Sequence, residues 1–266
     1  FSNRELADIF HSWNQGELHS YLIGITAGIF READDLGDGE LIDRIKDSAK
    51  QKGTGRWASI EALKQGVDIS MITSACTARI MSNHLDEREK AWQLIHSPAV
   101  GLSPDKESFA AMVREALYTG KIIAYAQGFS LMQDASRLYG WNLDLGKIAS
   151  IFRAGCIIQA VFLNDITHAF EAEPKPENLI FDGFFLSRIN EHQDSLRQAV
   201  STGVMNGLPI PALCNAVSYL DEFRAKAAGA NLIQAQRDCF GAHTYERTDR
   251  EGVFHHEWRW ANDNQH

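Results

Sequence analysis

The sequence predicts an all-α fold, in which a large helical domain is built around one or two long central helices and is followed by an extended C-terminal tail. Apolar residues recur at helical spacing along nearly the whole chain, whereas alternating runs bounded by turn residues are hard to find. After Pro104 the helical pattern continues to about Tyr139 without another proline. With 266 residues, of which 44% are hydrophobic, the chain can bury a substantial core.

The first helices are predicted from their capping residues and apolar stripes. Ser2 and Glu5 have the spacing of a capping box, and the apolar stripe behind them indicates a first helix. A second helix follows Gly16, and its apolar set is expected to face inward: Leu18, Tyr21, Leu22, Ile25, Ile29 and Phe30. Shorter helices are predicted over residues 40–46, 57–65, 69–83 and 86–95. Gly66 is placed to end one of them and Asp68 to cap the next.

The long central helix is expected to begin at Ser103-Pro104, an N-cap followed by a proline at the first helical position. Gly120 and Gly128 would each weaken it by roughly 1 kcal/mol relative to alanine, so close packing against a neighbour is expected there. Asp144 can cap a helix that ends near residue 151. Further helices are predicted over residues 154–170, 183–201, 211–226 and 231–240.

The end of the chain differs in character from the rest. We divide the sequence into a helical domain, residues 1–243, and a C-terminal tail, residues 244–266. The tail is too polar to form a core of its own, yet it carries Phe254, Trp258 and Trp260. Exposed aromatic side chains on a tail imply a docking surface. We therefore expect the tail to pack on a partner subunit.

Composition argues against several classes of protein. The 26 basic and 35 acidic residues give a net charge of -9, whereas a nucleic-acid binder needs a basic face. No apolar run approaches the about 18 residues of a membrane span, and the opening FSNRELADIF does not have the pattern of a signal peptide. Four separated cysteines suggest neither a zinc site nor a disulfide framework. These features favour a cytoplasmic protein that binds neither nucleic acid nor a membrane.

A glycine-rich loop at residues 49–57 is the first candidate binding site. Its sequence, AKQKGTGRW, places two glycines, a threonine and three cations between predicted helices. Free backbone amides, a hydroxyl and an ammonium group suit a phosphate or a carboxylate. The loop does not have the Walker A pattern. A glycine turn flanked by solvated lysines is the alternative interpretation.

Arginine and histidine side chains give further candidates. Arg79 lies on a predicted helix of small and apolar residues, and a buried arginine needs a carboxylate or a ligand anion. An internal salt bridge is the alternative to a ligand. Arg237 and His243 flank the end of the last helix and could bind a phosphate together, although a C-cap arginine and a surface histidine fit the same spacing.

A metal site is not expected. His255, His256 and Glu257 are adjacent, and adjacent residues on a helix or strand point in different directions. A polar tail is therefore favoured over a set of metal ligands.

Ordered segments along nearly the whole chain resemble one family. The helical C-terminal domain of 6-phosphogluconate dehydrogenase is similar to WNQGELHSYLIGITA, KQKGTGRW, ALYTGKIIAYAQGF, IFRAGCII, NGLPIPA and NLIQAQRDCFGAHTYE. The segments occur in the family's order and at compatible separations. An ordered set of this kind is far more specific than any single motif.

The resemblance implies a binding site and a partner. Lys52, Thr54 and Arg79 fall on family positions that bind the sugar phosphate. Arg237 and His243 fall on positions that a second subunit contributes to the same site, which implies a homodimer. Several cations and a hydroxyl suit a phosphate dianion, so the chemistry of these residues agrees. His243 is then expected to bind substrate rather than to act as the catalytic base.

The resemblance also implies an activity that needs more than this chain. The family's enzyme oxidises the 3-hydroxyl of 6-phosphogluconate with NADP, and the resulting β-keto acid loses carbon dioxide to give ribulose 5-phosphate. An N-terminal Rossmann domain binds NADP, and the helix after it carries the catalytic lysine and glutamate. The sequence has neither the glycine fingerprint nor a βαβ unit, so we expect it to begin after both and to be inactive alone.

A non-catalytic helical assembly domain is the alternative function. Such a domain would keep the fold and the subunit contacts but would have no activity of its own. A glycine fingerprint, a lysine and a glutamate encoded upstream of Phe1 would favour the enzyme, whereas a start codon close to Phe1 would favour the assembly domain.

Overall fold

The computed structural model describes residues 1–97, 100–101 and 105–258. Its elements are α1 (Asn3–Trp13), α2 (Tyr21–Ile29), α3 (Thr54–Gln65), α4 (Ser70–Ser82), α5 (Leu85–Leu94), α6 (Lys106–Tyr139), α7 (Leu145–Ile151), α8 (Phe162–Glu171), α9 (Gly183–Met205), α10 (Pro211–Arg224), α11 (Ala230–Gly241), β1 (Tyr245–Glu246) and β2 (Val253–Phe254). Two short 3-10 helices occupy Leu41–Arg44 and Leu179–Phe181. Within the described ranges the two strands form one small hairpin, so the predicted all-α fold is confirmed. The chain divides into two compact units, Phe1–Tyr219 and Leu220–His266.

The first unit is organised around α6, one continuous helix of 34 residues. This length confirms the predicted long central helix, and α6 packs along α9. Ile122 and Ile123 of α6 are fully buried, as are Phe162 of α8 and Phe185 of α9. The rings of Phe162 and Phe185 lie 5.1 Å apart between centroids. These helices therefore form the core of the unit. Burial of each side chain of this size contributes about 1.5–3 kcal/mol to the stability of the fold.

The two glycines of α6 differ in how closely they pack. A Cβ added at Gly120 would lie 2.8 Å from Cδ2 of Leu213 on α10, which is too close for a side chain without movement. At Gly128 the nearest atom would be Cδ1 of Ile72 at 3.9 Å, an ordinary van der Waals distance. The expected close packing is therefore confirmed at Gly120 and wrong at Gly128.

Most of the predicted capping is present. Ser2 Oγ accepts the Glu5 N–H at 3.2 Å, and a Glu5 carboxylate oxygen accepts the Ser2 N–H at 2.6 Å, which completes the capping box. Asp144 accepts the Lys147 N–H at 3.1 Å and caps α7. Gly66 ends α3 in the left-handed region with φ +71°. Local sequence is sufficient to predict these ends because each cap is completed within about four residues.

The start of α6 is capped by Asp105. Its carboxylate accepts the Ser108 N–H at 2.9 Å, and the helix begins at Lys106. Ser103 and Pro104, the predicted cap and first helical residue, lie outside the described residues. Acidic side chains are among the best N-caps, so Asp105 gives the helix a defined beginning.

Helix α2 presents its apolar residues to the surface instead of the core. Tyr21 is 51% exposed, Leu22 46%, Ile25 38% and Ile29 43%, whereas Leu18 just before the helix is buried. The prediction that this set faces inward is therefore wrong for all four helical residues. Periodicity identifies an apolar face but not the surface that covers it. A row of four exposed apolar side chains on one helix is typical of a contact surface.

Two further predicted helices are shorter than expected. Residues 154–161 are irregular, and α8 begins only at Phe162. This segment instead runs beside the start of α2, where the Tyr21 N–H donates to the Gln159 carbonyl at 3.0 Å. The predicted helix over residues 40–46 is reduced to the 3-10 helix Leu41–Arg44. Apolar spacing alone does not distinguish a short helix from an irregular segment that packs by tertiary contacts.

The second unit contains α11 and the β1–β2 hairpin, in which Tyr245 faces Phe254. Phe254 and Trp258, expected to be exposed on the tail, are half-buried within this unit. Trp260 lies outside the described residues. Docking of the tail on a partner subunit, and a functional boundary at residues 243/244, stay predictions.

Lys121 of α6 lines a cavity of about 460 Å³ whose walls are mostly apolar. Its Nζ lies 5.2 Å from the centroid of the Phe162 ring. In the described part of the chain no carboxylate forms a salt bridge with it. Removal from water disfavours the charged amine and lowers the pKa of Lys121 to about 8. The charged form of this lysine therefore destabilises the folded chain at neutral pH.

Replacing Lys121 with methionine is expected to raise the free energy of unfolding at pH 7 by about 1–3 kcal/mol. The unfolded lysine keeps its proton to about pH 10, whereas the folded lysine releases it at about 8. The free energy of unfolding of the unsubstituted chain should therefore increase as the pH is raised from about 8 to about 10. In Lys121→Met this increase should be absent. Urea unfolding at several pH values measures both effects. The exposed Lys147→Met is the control, and an unchanged rise in Lys121→Met would contradict the prediction.

Candidate functional site

The glycine-rich loop leads directly into the N-terminus of α3. Gly53 is the N-cap and has φ +100°, a left-handed conformation that glycine adopts without strain. Because glycine has no capping side chain, the first N–H groups of α3 are left for water or a ligand, at the positive end of the helix dipole. Lys52 and Thr54 flank Gly53 and are both exposed. The loop thus offers amides, a hydroxyl and an ammonium group to an anion.

Hydrogen bonds hold this loop against the C-terminal end of α4. The Ser82 Oγ accepts the Ala49 N–H at 3.0 Å, and Ser48 Oγ donates to Asn83 Oδ1 at 2.8 Å. The Asn83 amide donates to the carbonyls of Ala49, at 3.2 Å, and Arg79, at 2.6 Å. Asn83 therefore joins the backbone of the loop that carries Lys52 and Thr54 to the backbone of Arg79.

Close packing between α3 and α4 reinforces this arrangement. A Cβ at Gly55 would lie 2.3 Å from Cys76 Sγ, so only glycine fits without movement. One helical turn further on, Thr73 Oγ1 donates to Ser59 Oγ at 3.0 Å. Gly55 follows Thr54 directly, and Cys76 lies three residues before Arg79. The two helices that carry the predicted ligands are thus in direct contact beside them.

The Arg79 side chain is exposed near the end of α4. Within the described ranges its guanidinium forms no ion pair, so the alternative of an internal salt bridge is wrong. Arg79 is exposed although it lies on a helix of small and apolar residues, so it does not need the partner that a buried arginine would need. A guanidinium without a carboxylate partner is available to an anionic ligand.

Arg237 and His243 both belong to the second unit. Both side chains are exposed. One guanidinium nitrogen of Arg237 donates to Gln234 Oε1 at 3.0 Å, so the arginine is held by a neighbouring side chain instead of capping the carbonyls that end α11. The His243 ring lies against Gly241, where a Cβ would come within 2.8 Å of Nε2, and it contacts the Phe240 ring at 5.9 Å between centroids. Both side chains are positioned locally.

Several residues that lie beside the predicted ligands and hold the surrounding backbone were not predicted from the sequence. Asn83 and Ser82 follow Arg79 closely, but the pattern gave no reason to pair them with the loop before α3. Asp238 is fully buried although it stands between Arg237 and Cys239 on a mixed helix. A buried carboxylate must be hydrogen-bonded, but the sequence of α11 gave no signal that Asp238 is the residue that is buried.

Other kinds of site are not supported by the described residues. Among them, no group of three or more His, Cys, Asp or Glu side chains is arranged to hold a metal ion. His255 contacts Asp238 instead, with Nδ1 2.8 Å from Oδ1. No described helix is both long enough and apolar enough to cross a bilayer. None of the predicted ligand residues lines the cavity beside Lys121, so this cavity is not part of the site predicted at Lys52, Thr54 and Arg79.

Sequence comparisons identify similar proteins over nearly the whole chain. Residues 1–258 match the family model described as 6-phosphogluconate dehydrogenase, C-terminal domain. Relatives named 6-phosphogluconate dehydrogenase, decarboxylating, are 48% identical in Lactococcus lactis and 49% identical in Shigella flexneri, each over 257 residues. The matches cover 97% of this chain and 54% and 55% of the relatives. The chain therefore spans about half the length of the curated relatives it matches.

A solved structure agrees with these matches. The 6-phosphogluconate dehydrogenase of Plasmodium falciparum, described in its apo form, with its cofactor NADP+ and with its substrate 6-phosphogluconate, superimposes with a TM-score of 0.93. The two sequences are 40% identical, and the match covers 97% of this chain and 56% of that chain. The predicted resemblance is confirmed by sequence and by fold.

Proposed function

Because the chain belongs to the 6-phosphogluconate dehydrogenase family as its C-terminal domain, we propose that it is the substrate-binding and dimer-forming part of a decarboxylating 6-phosphogluconate dehydrogenase. The whole enzyme would oxidise 6-phosphogluconate with NADP and release carbon dioxide and ribulose 5-phosphate. NADP would be bound mainly by a Rossmann domain outside this chain, which would also be followed by the catalytic lysine and glutamate. A cytoplasmic location and a reaction without a metal are part of the same proposal.

The arrangement of Lys52, Thr54 and Arg79 carries the proposal. Lys52 and Thr54 lie at a helix N-terminus whose N–H groups have no capping side chain, and Arg79 lies near the end of α4, to which Asn83 joins the same loop. These are the groups that a phosphate dianion needs, and a loop joined to α4 would hold them in place. Binding the phosphate far from the reacting carbon orients the substrate, which is a recognised source of rate enhancement.

A second copy of the chain is the proposed partner. The exposed apolar residues of α2 support this proposal, because a row of such side chains is stabilised when a matching surface covers it. We propose that the second copy also brings its Arg237 and His243 to the phosphate bound by Lys52, Thr54 and Arg79. The site would then be complete only in the dimer.

Replacing Ile25 with aspartate is expected to convert the dimer largely to monomer. Ile25 lies in the middle of the exposed row on α2, and a carboxylate there would be desolvated without a partner. Sedimentation equilibrium measures the change. Leu36→Asp is the matched control, because Leu36 is 93% exposed and lies outside α2. A dimer as tight as that of the unsubstituted chain would place the interface elsewhere.

Titration of the chain with 6-phosphogluconate and with gluconate tests the proposed function. The two ligands differ by the phosphate, so calorimetry should show binding of 6-phosphogluconate and at least about tenfold weaker binding of gluconate. Sedimentation of the same sample establishes that it is dimeric. A dimer that binds neither ligand, or both equally, would contradict the phosphate site and support the non-catalytic assembly domain.

A further inference from the structure

The second unit contains a fully buried carboxylate, that of Asp238 on α11. Oδ1 accepts the Thr244 N–H at 3.0 Å and lies 2.8 Å from His255 Nδ1. Oδ2 accepts the His256 N–H at 3.0 Å and the Trp258 indole N–H at 2.9 Å. Asp238 therefore joins the turn after α11 to the segment that follows the hairpin.

The charge on Asp238 is stabilised by these contacts. Burial alone would raise the pKa of the carboxyl, but the hydrogen bonds from His255, the His256 N–H and Trp258 outweigh burial and hold the pKa well below its ordinary value. Asp238 is thus ionised at neutral pH, and His255 Nδ1 is the donor in their contact. Because the carboxylate accepts a hydrogen bond from each of the four donor groups, it fixes the orientation of all four.

Gln234, one turn before Asp238 on α11, is hydrogen-bonded both to the turn after the helix and to the Arg237 side chain. Its Nε2 donates to the Thr244 carbonyl at 2.5 Å, and its Oε1 accepts from the Arg237 guanidinium at 3.0 Å. The amide is half-buried, so it has little freedom to exchange these partners for water. A continuous chain of hydrogen bonds thus runs from Arg237 through Gln234 and Thr244 to Asp238.

The turn that carries His243 has an unfavourable backbone conformation. Ala242 has φ +49° and Thr244 has φ +61°, although neither is glycine. Left-handed backbone is especially unfavourable for a β-branched residue, and it persists only where the surroundings determine it. At Thr244 both the N–H and the carbonyl are held, by Asp238 and Gln234 respectively. His243 lies between the two left-handed residues, so the same contacts set its place.

We propose that Gln234 and Asp238 are positioning residues for phosphate binding, which act by fixing Arg237 and His243 in one geometry. This inference rests on the proposed function, in which Arg237 and His243 bind the phosphate of 6-phosphogluconate. Gln234 holds the guanidinium directly, and Asp238 holds the turn that presents the imidazole. The segment that follows the hairpin contributes through His255, His256 and Trp258, which supply three of the four donors to Asp238.

Gln234→Met in the dimeric chain is the test, because methionine keeps the length of the side chain but neither donates nor accepts strongly. Affinity for 6-phosphogluconate should fall at least about tenfold, while gluconate binding and the dimer are unchanged. Gln236→Met on the exposed side of the same helix is the matched control and should bind normally. Asp238→Asn should act in the same direction, because an amide cannot accept on both sides, and Asp249→Asn in the hairpin is its control.

A substitution cycle separates positioning from a general loss of structure. If Gln234 acts through Arg237 and through the turn that carries His243, adding Gln234→Met to a chain with Arg237→Ala and His243→Ala should cost little further affinity. Additive losses, or normal binding by Gln234→Met while Arg237→Ala is impaired, would overturn the inference and leave the proposed function intact. Equal binding of 6-phosphogluconate and gluconate by the unsubstituted dimer would overturn both.

Discussion

Replacing Arg79 with alanine is expected to weaken 6-phosphogluconate binding by about 10- to 100-fold, the loss that follows from removing one or two charge-assisted hydrogen bonds. The guanidinium has no carboxylate partner in the described chain, so the substitution leaves no buried charge behind. Its backbone carbonyl, which accepts from Asn83, is unchanged by the substitution. The fold around the loop should therefore be preserved, and calorimetric titration measures the affinity directly.

Two comparisons make the Arg79 result specific. Arg4→Ala removes another exposed arginine from α1, far along the chain from the loop, and should leave the affinity unchanged. Gluconate should bind Arg79→Ala and the unsubstituted chain equally, because it has no phosphate for Arg79 to contact. Equal weakening of both ligands would show that Arg79 supports the loop in general, and an unchanged affinity for 6-phosphogluconate would remove Arg79 from the site.

The parts of the fold that the sequence predicted are those determined by neighbouring residues. The capping box at Ser2 and Glu5, the end of α3 at Gly66 and the cap at Asp144 are each completed within a few residues. The long α6 is predicted because helical periodicity continues without proline. In the site, the glycines around Thr54 indicated a loop with free amides, and Gly53 adopts the left-handed conformation that such a loop needs.

The remaining features depend on contacts between distant parts of the chain. Whether the apolar face of α2 is covered depends on the surfaces around it, and no periodicity within the helix contains that information. Asn83 is joined to Ala49 across 34 positions, and Asp238 to Trp258 across 20. Such pairs are set by tertiary packing, so single residues in the sequence do not reveal them. Arg79 shows the same limit, because its exposure follows from the side of α4 that packs on α3.

Mixing two variants that each bind 6-phosphogluconate weakly is expected to restore part of the binding if each site is shared between two copies of the chain. In a dimer of one Arg79→Ala chain and one Arg237→Ala chain, one site would lack both arginines and the other would have both. Random pairing makes half of the dimers mixed, and each mixed dimer has one intact site of two, so about one quarter of all sites should recover. Calorimetric stoichiometry of the co-refolded mixture measures this fraction, since each variant alone binds weakly.

The matched control combines substitutions that fall on the same part of the site. In a mixture of Arg79→Ala and Lys52→Ala chains, every site of every dimer lacks either Arg79 or Lys52, so no recovery is expected. Absence of recovery with Arg79→Ala and Arg237→Ala as well would mean that each chain uses its own Arg237. Recovery in the mixture of Arg79→Ala and Arg237→Ala, but not in the control mixture, would mean that α11 of the partner subunit lies at the phosphate. No single chain in that mixture has both arginines. Dimerisation would then be a condition of substrate binding, and the positions that Gln234 and Asp238 give to Arg237 and His243 would act on the neighbouring subunit.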